Sequence, residues 1–138
     1  MNDAAIKTRI GAFQKSEITE YHIYRILSRS IKDRNNSEVL ARIAQDELRH
    51  YGVWKKITGK EVRPNRFKVW FYVVIARLFG LTFGIKLLEK GEEKASGVYK
   101  ELSSVVPDAL LIAEDEDRHE RELIALINEE GLAYVGSI

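Results

Sequence analysis

Cysteine is absent from this chain, and its absence removes disulfide frameworks, zinc knuckles, iron–sulfur clusters and thiol nucleophiles together. Proline occurs only at positions 64 and 107, and neither alternating strand patterns nor hairpin dipeptides of the Asn-Gly kind occur, which argues against a β-rich fold. An excess of one charge is also missing: 22 lysines and arginines stand against 21 acids. The global field therefore gives no argument for nucleic acid or an anionic membrane as partner, and none is expected from it. No long run of apolar residues is free of charge. The most apolar stretch, 67 to 88, carries Lys68, Arg77 and Lys86 at nine-residue intervals, too many charges for a comfortable membrane span. The opening MNDAAIKTRIGAF has no basic start followed by a continuous apolar core, so it does not read as a signal peptide, and the cytoplasm is the expected compartment.

What is present is enough chain for one domain, 138 residues, with a pattern that predicts an all-α fold. Asp3 is a suitable cap for a first helix running to about Lys32, and residues 33 to 37 form a polar turn. A second helix ends near Thr58 with Gly59 beyond it, which makes an antiparallel hairpin of the two. After Pro64, helical pattern resumes from about Phe67 to Ser103, with Gly80 and Gly84 marking a kink or a close packing point. Pro107 and Asp108 open a last helix that stops before Gly131. Four main helices are expected.

Each helix shows apolar residues at alternating three- and four-residue steps, the stripe of a helix facing a core. In each, that stripe is interrupted by a polar residue at mid-length. The first reads Ile10, Phe13, Glu17, Glu20, Tyr24, Leu27, Ile31, and the second Leu40, Ile43, Glu47, His50, Trp54, Ile57. The third reads Ile85, Leu88, Glu92, Ala95, Tyr99, Leu102, and the fourth Ala109, Ile112, Glu116, His119, Leu123, Leu126. An uncompensated carboxylate in an apolar core costs several kcal/mol, and clustered carboxylates repel. A multivalent cation held by carboxylate and imidazole resolves both difficulties.

The second and fourth stripes are near copies. Ile43 to His50 and Ile112 to His119 both read IA-x-DE-x-RH, 69 residues apart. The first and third echo each other through Glu17 seven residues before Tyr24 and Glu92 seven residues before Tyr99. A duplicated helical hairpin accounts for both. Glu at i and His at i+3 share one face of a helix, within reach of a single ion. Imidazole and carboxylate without thiolate suit iron or manganese, and accept zinc or cobalt.

At these residues the chain resembles the rubrerythrin branch of the ferritin-like superfamily, over essentially the whole bundle. The resemblance implies an antiparallel four-helix bundle spanning residues 1–131, with a long crossover between its second and third helices. In such proteins a Glu from each of two helices joins a Glu-x-x-His from each of the other two around two iron ions. Carried onto this sequence, Glu17 and Glu92 are the single-glutamate ligands, Glu47 and Glu116 the bridging ones, and His50 and His119 the terminal nitrogen ligands. Glu20 is a further candidate whose repeat counterpart is Ala95. Glu89 and Glu93 are alternatives to Glu92, which only the register of Tyr99 selects. Rubrerythrins also carry a cysteine-rich rubredoxin domain that delivers electrons, and a cysteine-free chain departs from that pattern.

The ending, residues 132–138, is apolar and is similar to the opening of the membrane domain in vacuolar-iron-transporter-like proteins with an N-terminal ferritin-like domain. That second resemblance implies a covalently linked membrane transporter. Residues 67 to 83 carry more apolar side chains than a bundle stripe needs, Trp70, Val73, Phe79 and Phe83 among them, which suggests a homodimer interface or a membrane-facing contact.

Three functions compete. The leading one is an oxidoreductase in which ferrous iron is oxidised by oxygen or hydrogen peroxide. The second is a non-catalytic iron-sensing or iron-delivery domain. In the third, the core carboxylates are merely paired with Arg49 or Arg118 in a structural bundle. Tyr24 and Tyr99 read as core aromatics, and His22, off the stripe, as a surface residue.

Overall fold

The computed structural model describes the backbone of residues 3–92, 99–100 and 102–136, and side chains within 4–88, 99–100 and 102–126. Every extended element among them is a helix: α1 (Asp3–Ser30), α2 (Arg34–Thr58), α3 (Arg66–Phe79), α4 (Leu81–Glu92) and α5 (Asp108–Gly136). The all-α expectation holds for these residues. None of the described helices is long and apolar enough to cross a membrane.

The chain forms two compact units, residues 1–73 and 74–138. In the first, α1 and α2 make an antiparallel hairpin. Ser28 Oγ accepts no ladder role and instead donates to the Arg25 carbonyl, while its own carbonyl receives Ser37 Oγ across the turn at 2.7 Å. Gln14 and Thr58 meet at the opposite end. The Asp33 carboxylate caps α2 by accepting the Asn36 N–H at 3.0 Å, and Gly59 ends it at φ 68, its N–H donating to the Lys55 carbonyl. Only a residue that tolerates positive φ closes a helix this way at no steric cost. The apolar stripes then bury Ile10, Tyr24, Leu27, Leu40, Ile43 and Trp54 between the two helices.

The segment after α2 is tied back to the hairpin by polar contacts rather than by packing. Gln14 Nε2 donates to the Lys60 carbonyl at 2.7 Å, the Asn65 N–H donates to Thr19 Oγ1 at 2.9 Å, and the Val62 N–H donates to Tyr51 Oη at 3.0 Å.

Three boundaries differ from the sequence expectation, the first being the start of α2, which lies at Arg34 inside the stretch expected as a polar turn over residues 33 to 37, because the Asp33 side chain caps the helix there. The stretch expected as one helix from Phe67 to Ser103 is broken at Gly80, which sits at φ 98 and separates α3 from α4. The apolar phase runs straight through the break, so periodicity does not reveal it. Gly84 lies close against Ala76: a Cβ there would stand 2.9 Å from the Ala76 Cβ. The last helix does not stop at Gly131 but continues to Gly136, because a glycine inside a helix weakens it by about 1 kcal/mol without breaking it. In this second unit α4 packs on α5, with Ile85, Leu88, Ile112 and Leu123 buried.

The two kinds of helical glycine predict opposite outcomes in urea unfolding. Gly84→Val, which forces a side chain into Ala76, is expected to lower stability by about 1–3 kcal/mol. Gly11→Ala, with nothing within 4 Å of the added methyl, is expected to raise it by about 0.5–1 kcal/mol.

Candidate metal centre

In the first unit the interrupted stripes of α1 and α2 face each other. Glu17 and Glu47 are each 1% exposed, as is His50, so two carboxylates and an imidazole sit inside an apolar hairpin. His50 Nδ1 lies 3.4 Å from Glu17 Oε2 and 3.7 Å from Glu47 Oε1. One donor atom from each of the three falls within 4.8 Å of the others. Glu20, one turn beyond Glu17, is buried as well and adds a second carboxylate to the same face of α1. The helical spacing is the local cause: Glu17 and Glu20 follow Ile10 and Phe13 on one stripe, and Glu47 and His50 follow Leu40 and Ile43 on the other. Oxygen and imidazole donors that converge without sulfur fit a divalent first-row metal.

In the second unit, α5 repeats the α2 arrangement. His119 Nδ1 stands 3.9 Å from Glu116 Oε2, with His119 buried and Glu116 half-buried. The likeness extends to charges outside the stripe. Arg49 binds Asp46 at 3.1 Å, and Arg118 binds Asp115 at 3.2 Å, in the same i, i+3 geometry. Arg118 also reaches Glu122 at 3.4 Å. The two IA-x-DE-x-RH segments are thus alike in their ion pairs as well as their letters.

The weaker echo between α1 and the chain from α4 onward extends beyond Glu and Tyr. Tyr24 and Tyr99 are both buried, as are Ile10 and Ile85, and Leu27 and Leu102. Ser28 and Ser103, at matching positions, each turn a hydroxyl onto the carbonyl three residues earlier, Arg25 at 2.7 Å and Lys100 at 2.6 Å. Of the remaining site candidates, Glu89 and Glu92 lie on the described backbone of α4, but their side chains are outside the described residues; Glu93 is outside them altogether.

Of the buried polar residues outside the expected site, Gln14 is the most completely enclosed. Gln14 is fully buried, with its amide donating to the Lys60 carbonyl and its carbonyl accepting from Thr58 Oγ1 at 2.7 Å. Its position four residues after Ile10 and three before Glu17 was the available signal, but its partners lie 44 and 46 residues away. His22 is half-buried rather than a plain surface residue, and its pKa is lowered first by burial and then by the charges of Arg25 and Arg66.

The positions of Arg49 and Arg118 bear on the structural reading. Their side chains are 59% and 46% exposed and engage acids outside the stripe, Asp46 and Asp115, which are themselves 10% and 19% exposed, so the pairs lie at the edge of the core and not among the stripe carboxylates. Arg49→Met and Arg118→Met are each expected to cost about 1 kcal/mol in thermal or urea unfolding, somewhat more for Arg49, whose partner Asp46 is nearly buried. An arginine neutralising core carboxylates would instead cost about 3–5 kcal/mol when removed. No family model, no curated protein and no solved structure matches the chain, so the chemistry of the site rests on its own residues.

Proposed function

We propose that the chain is a di-iron carboxylate protein of rubrerythrin type, built as a ferritin-like four-helix bundle with a long crossover between its two hairpins. The observation that carries the reading is the convergence of Glu17, Glu47 and His50, all buried, with donor atoms within 4.8 Å of one another. In this reading they form one half-site, and Glu92, Glu116 and His119 form the other. The repeated Glu-x-x-His geometry supports the pairing, 3.7 Å in α2 and 3.9 Å in α5. The phase of α4 supports Glu92 over Glu89 and Glu93, because position 92 falls on the helical face that carries the buried Ile85 and Leu88.

Bound iron would supply electron exchange with oxygen or hydrogen peroxide; manganese or zinc fit the same donors without equivalent redox chemistry. The protein's own residues have separable tasks. Glu17 and Glu47 offset the charge of the cations, and the surrounding Ile10, Leu40, Ile43 and Trp54 keep bulk water out, which strengthens that attraction. His50 offers one ring nitrogen as a neutral donor. Glu20 adds a carboxylate with no counterpart at position 95, where the repeat has alanine, so the two half-sites are chemically unequal. An extra carboxylate that attaches and releases would follow the change in charge between ferrous and ferric iron.

Elemental analysis of protein from iron-supplemented cells tests the reading, with an expected content of about two iron per chain that falls to near zero in the Glu47→Ala, Glu116→Ala double variant. Wild-type protein that takes up no stoichiometric metal, even from anaerobic ferrous solution, would sink it. Sustained ferrous oxidation by loaded protein supports the oxidoreductase; tight binding without turnover supports iron sensing or delivery instead.

A metal site also predicts its own stability signature. Glu47→Gln is expected to raise the stability of the metal-free protein by about 1 kcal/mol, since it removes one of several buried like charges, and to abolish the rise in melting temperature on adding ferrous or manganous ions.

A further inference from the structure

The outer face of α3 is apolar and open. Phe67, Trp70 and Leu78 are 71%, 60% and 71% exposed, and Phe71 lies with them on one face of the helix. At the α-helical repeat, positions 67, 70, 71, 74 and 78 fall within an arc of about 100°. The rings form a continuous patch, with Phe67 5.9 Å from Trp70 and 6.4 Å from Phe71 between centroids. Across the Gly80 break, Phe79 and Phe83 are exposed and paired at 5.5 Å. Single exposed apolar residues are ordinary, whereas a contiguous aromatic stripe marks a contact surface.

The charges around the stripe have one sign. From position 62 to 88 there is no acid, while Arg63, Arg66, Lys68, Arg77 and Lys86 are all present. By helical phase Arg66 and Arg77 border one edge of the stripe and Lys68 the other, and Val73 and Ala76 occupy the buried side. Two occupants fit an apolar face: a second copy of the chain or a lipid surface. A symmetric pairing of this helix with itself would set Arg66, Lys68 and Arg77 against the same bases of the other copy, which is unfavourable. An anionic bilayer suits both features at once, taking the rings at headgroup depth and the bases on its phosphates. With 14 residues, α3 is too short to cross a bilayer and long enough to lie along one.

We propose that α3 and the start of α4 dock the protein on an anionic lipid surface through Phe67, Trp70, Phe71 and Leu78, with Arg66, Lys68 and Arg77 holding the headgroups. This inference stands apart from the iron reading, since none of these residues belongs to the candidate site.

Co-sedimentation of the full chain with phosphatidylcholine vesicles, with and without phosphatidylserine, tests it. Trp54 is fully buried and Trp70 exposed, so a Trp54→Phe variant isolates the reporting indole. The expected result is binding to phosphatidylserine-containing vesicles only, a blue shift of Trp70 emission, and affinity lowered roughly tenfold or more in Arg66→Gln, Lys68→Gln, Arg77→Gln protein. Trp70→Ser with Leu78→Ser, whose fold is checked by circular dichroism, is expected to abolish binding. Failure to sediment with anionic vesicles, or binding indifferent to those substitutions, would overturn the proposal. So would a dimer, seen by light scattering, that the Trp70→Ser, Leu78→Ser pair dissociates, since the face would then belong to a second copy.

Discussion

Two carboxylates and an imidazole buried together among isoleucine, leucine and tryptophan side chains are the constraint to which the rest of the hairpin answers. Taking such groups out of water costs several kcal/mol, and like charges packed together add to that cost. The interior of α1 and α2 nevertheless keeps Glu17, Glu47 and His50 almost wholly from solvent. The arginines that would be the simplest counter-charges are turned to Asp46 and Asp115, outside the stripe. A bound divalent cation, as proposed above, would give this arrangement a physical reason.

The repeat gives the second reason. In two segments of the chain the same letters produce the same local physics: an Asp–Arg pair one turn apart, and a Glu–His pair one turn apart. Buried Ile and Ala precede both. In the sequence the repeat is unequal at one point, where Glu20 of the first copy is matched by alanine at position 95. The fold spends stability on the buried carboxylates and regains it at the hairpin ends, where Asp33, Gly59, Gln14 and Thr58 satisfy backbone groups that would otherwise be lost.

Much of this was legible in the letters. Helical class followed from apolar spacing with so little proline, and the end of α2 followed from Gly59, whose capping chemistry is local; its start at Arg34 did not, because the polar letters from Asp33 to Ser37 read as a turn. Glu17, Glu47 and His50 were legible because helical spacing alone sets them on the apolar stripe. The break at Gly80 was flagged only as a kink or packing point, since a positive φ leaves no trace in a hydrophobic phase that continues unchanged from Phe67 to Ile85. Gly131 misled in the opposite sense: a glycine near an expected end invited a stop, yet nothing at that position requires a left-handed backbone. Gln14 went unrecognised because what holds it is a carbonyl and a hydroxyl contributed from the far end of α2 and the segment beyond. Side-chain partners distant in sequence are the information that periodicity lacks.

The central claim is that the buried Glu and His residues are metal ligands, and crystals of the protein grown with ferrous iron test it most directly. Anomalous scattering at the iron edge should show iron bound by Glu17, Glu47 and His50. Iron found only at surface carboxylates, with Glu17, Glu47 and His50 binding no ion, would contradict the account.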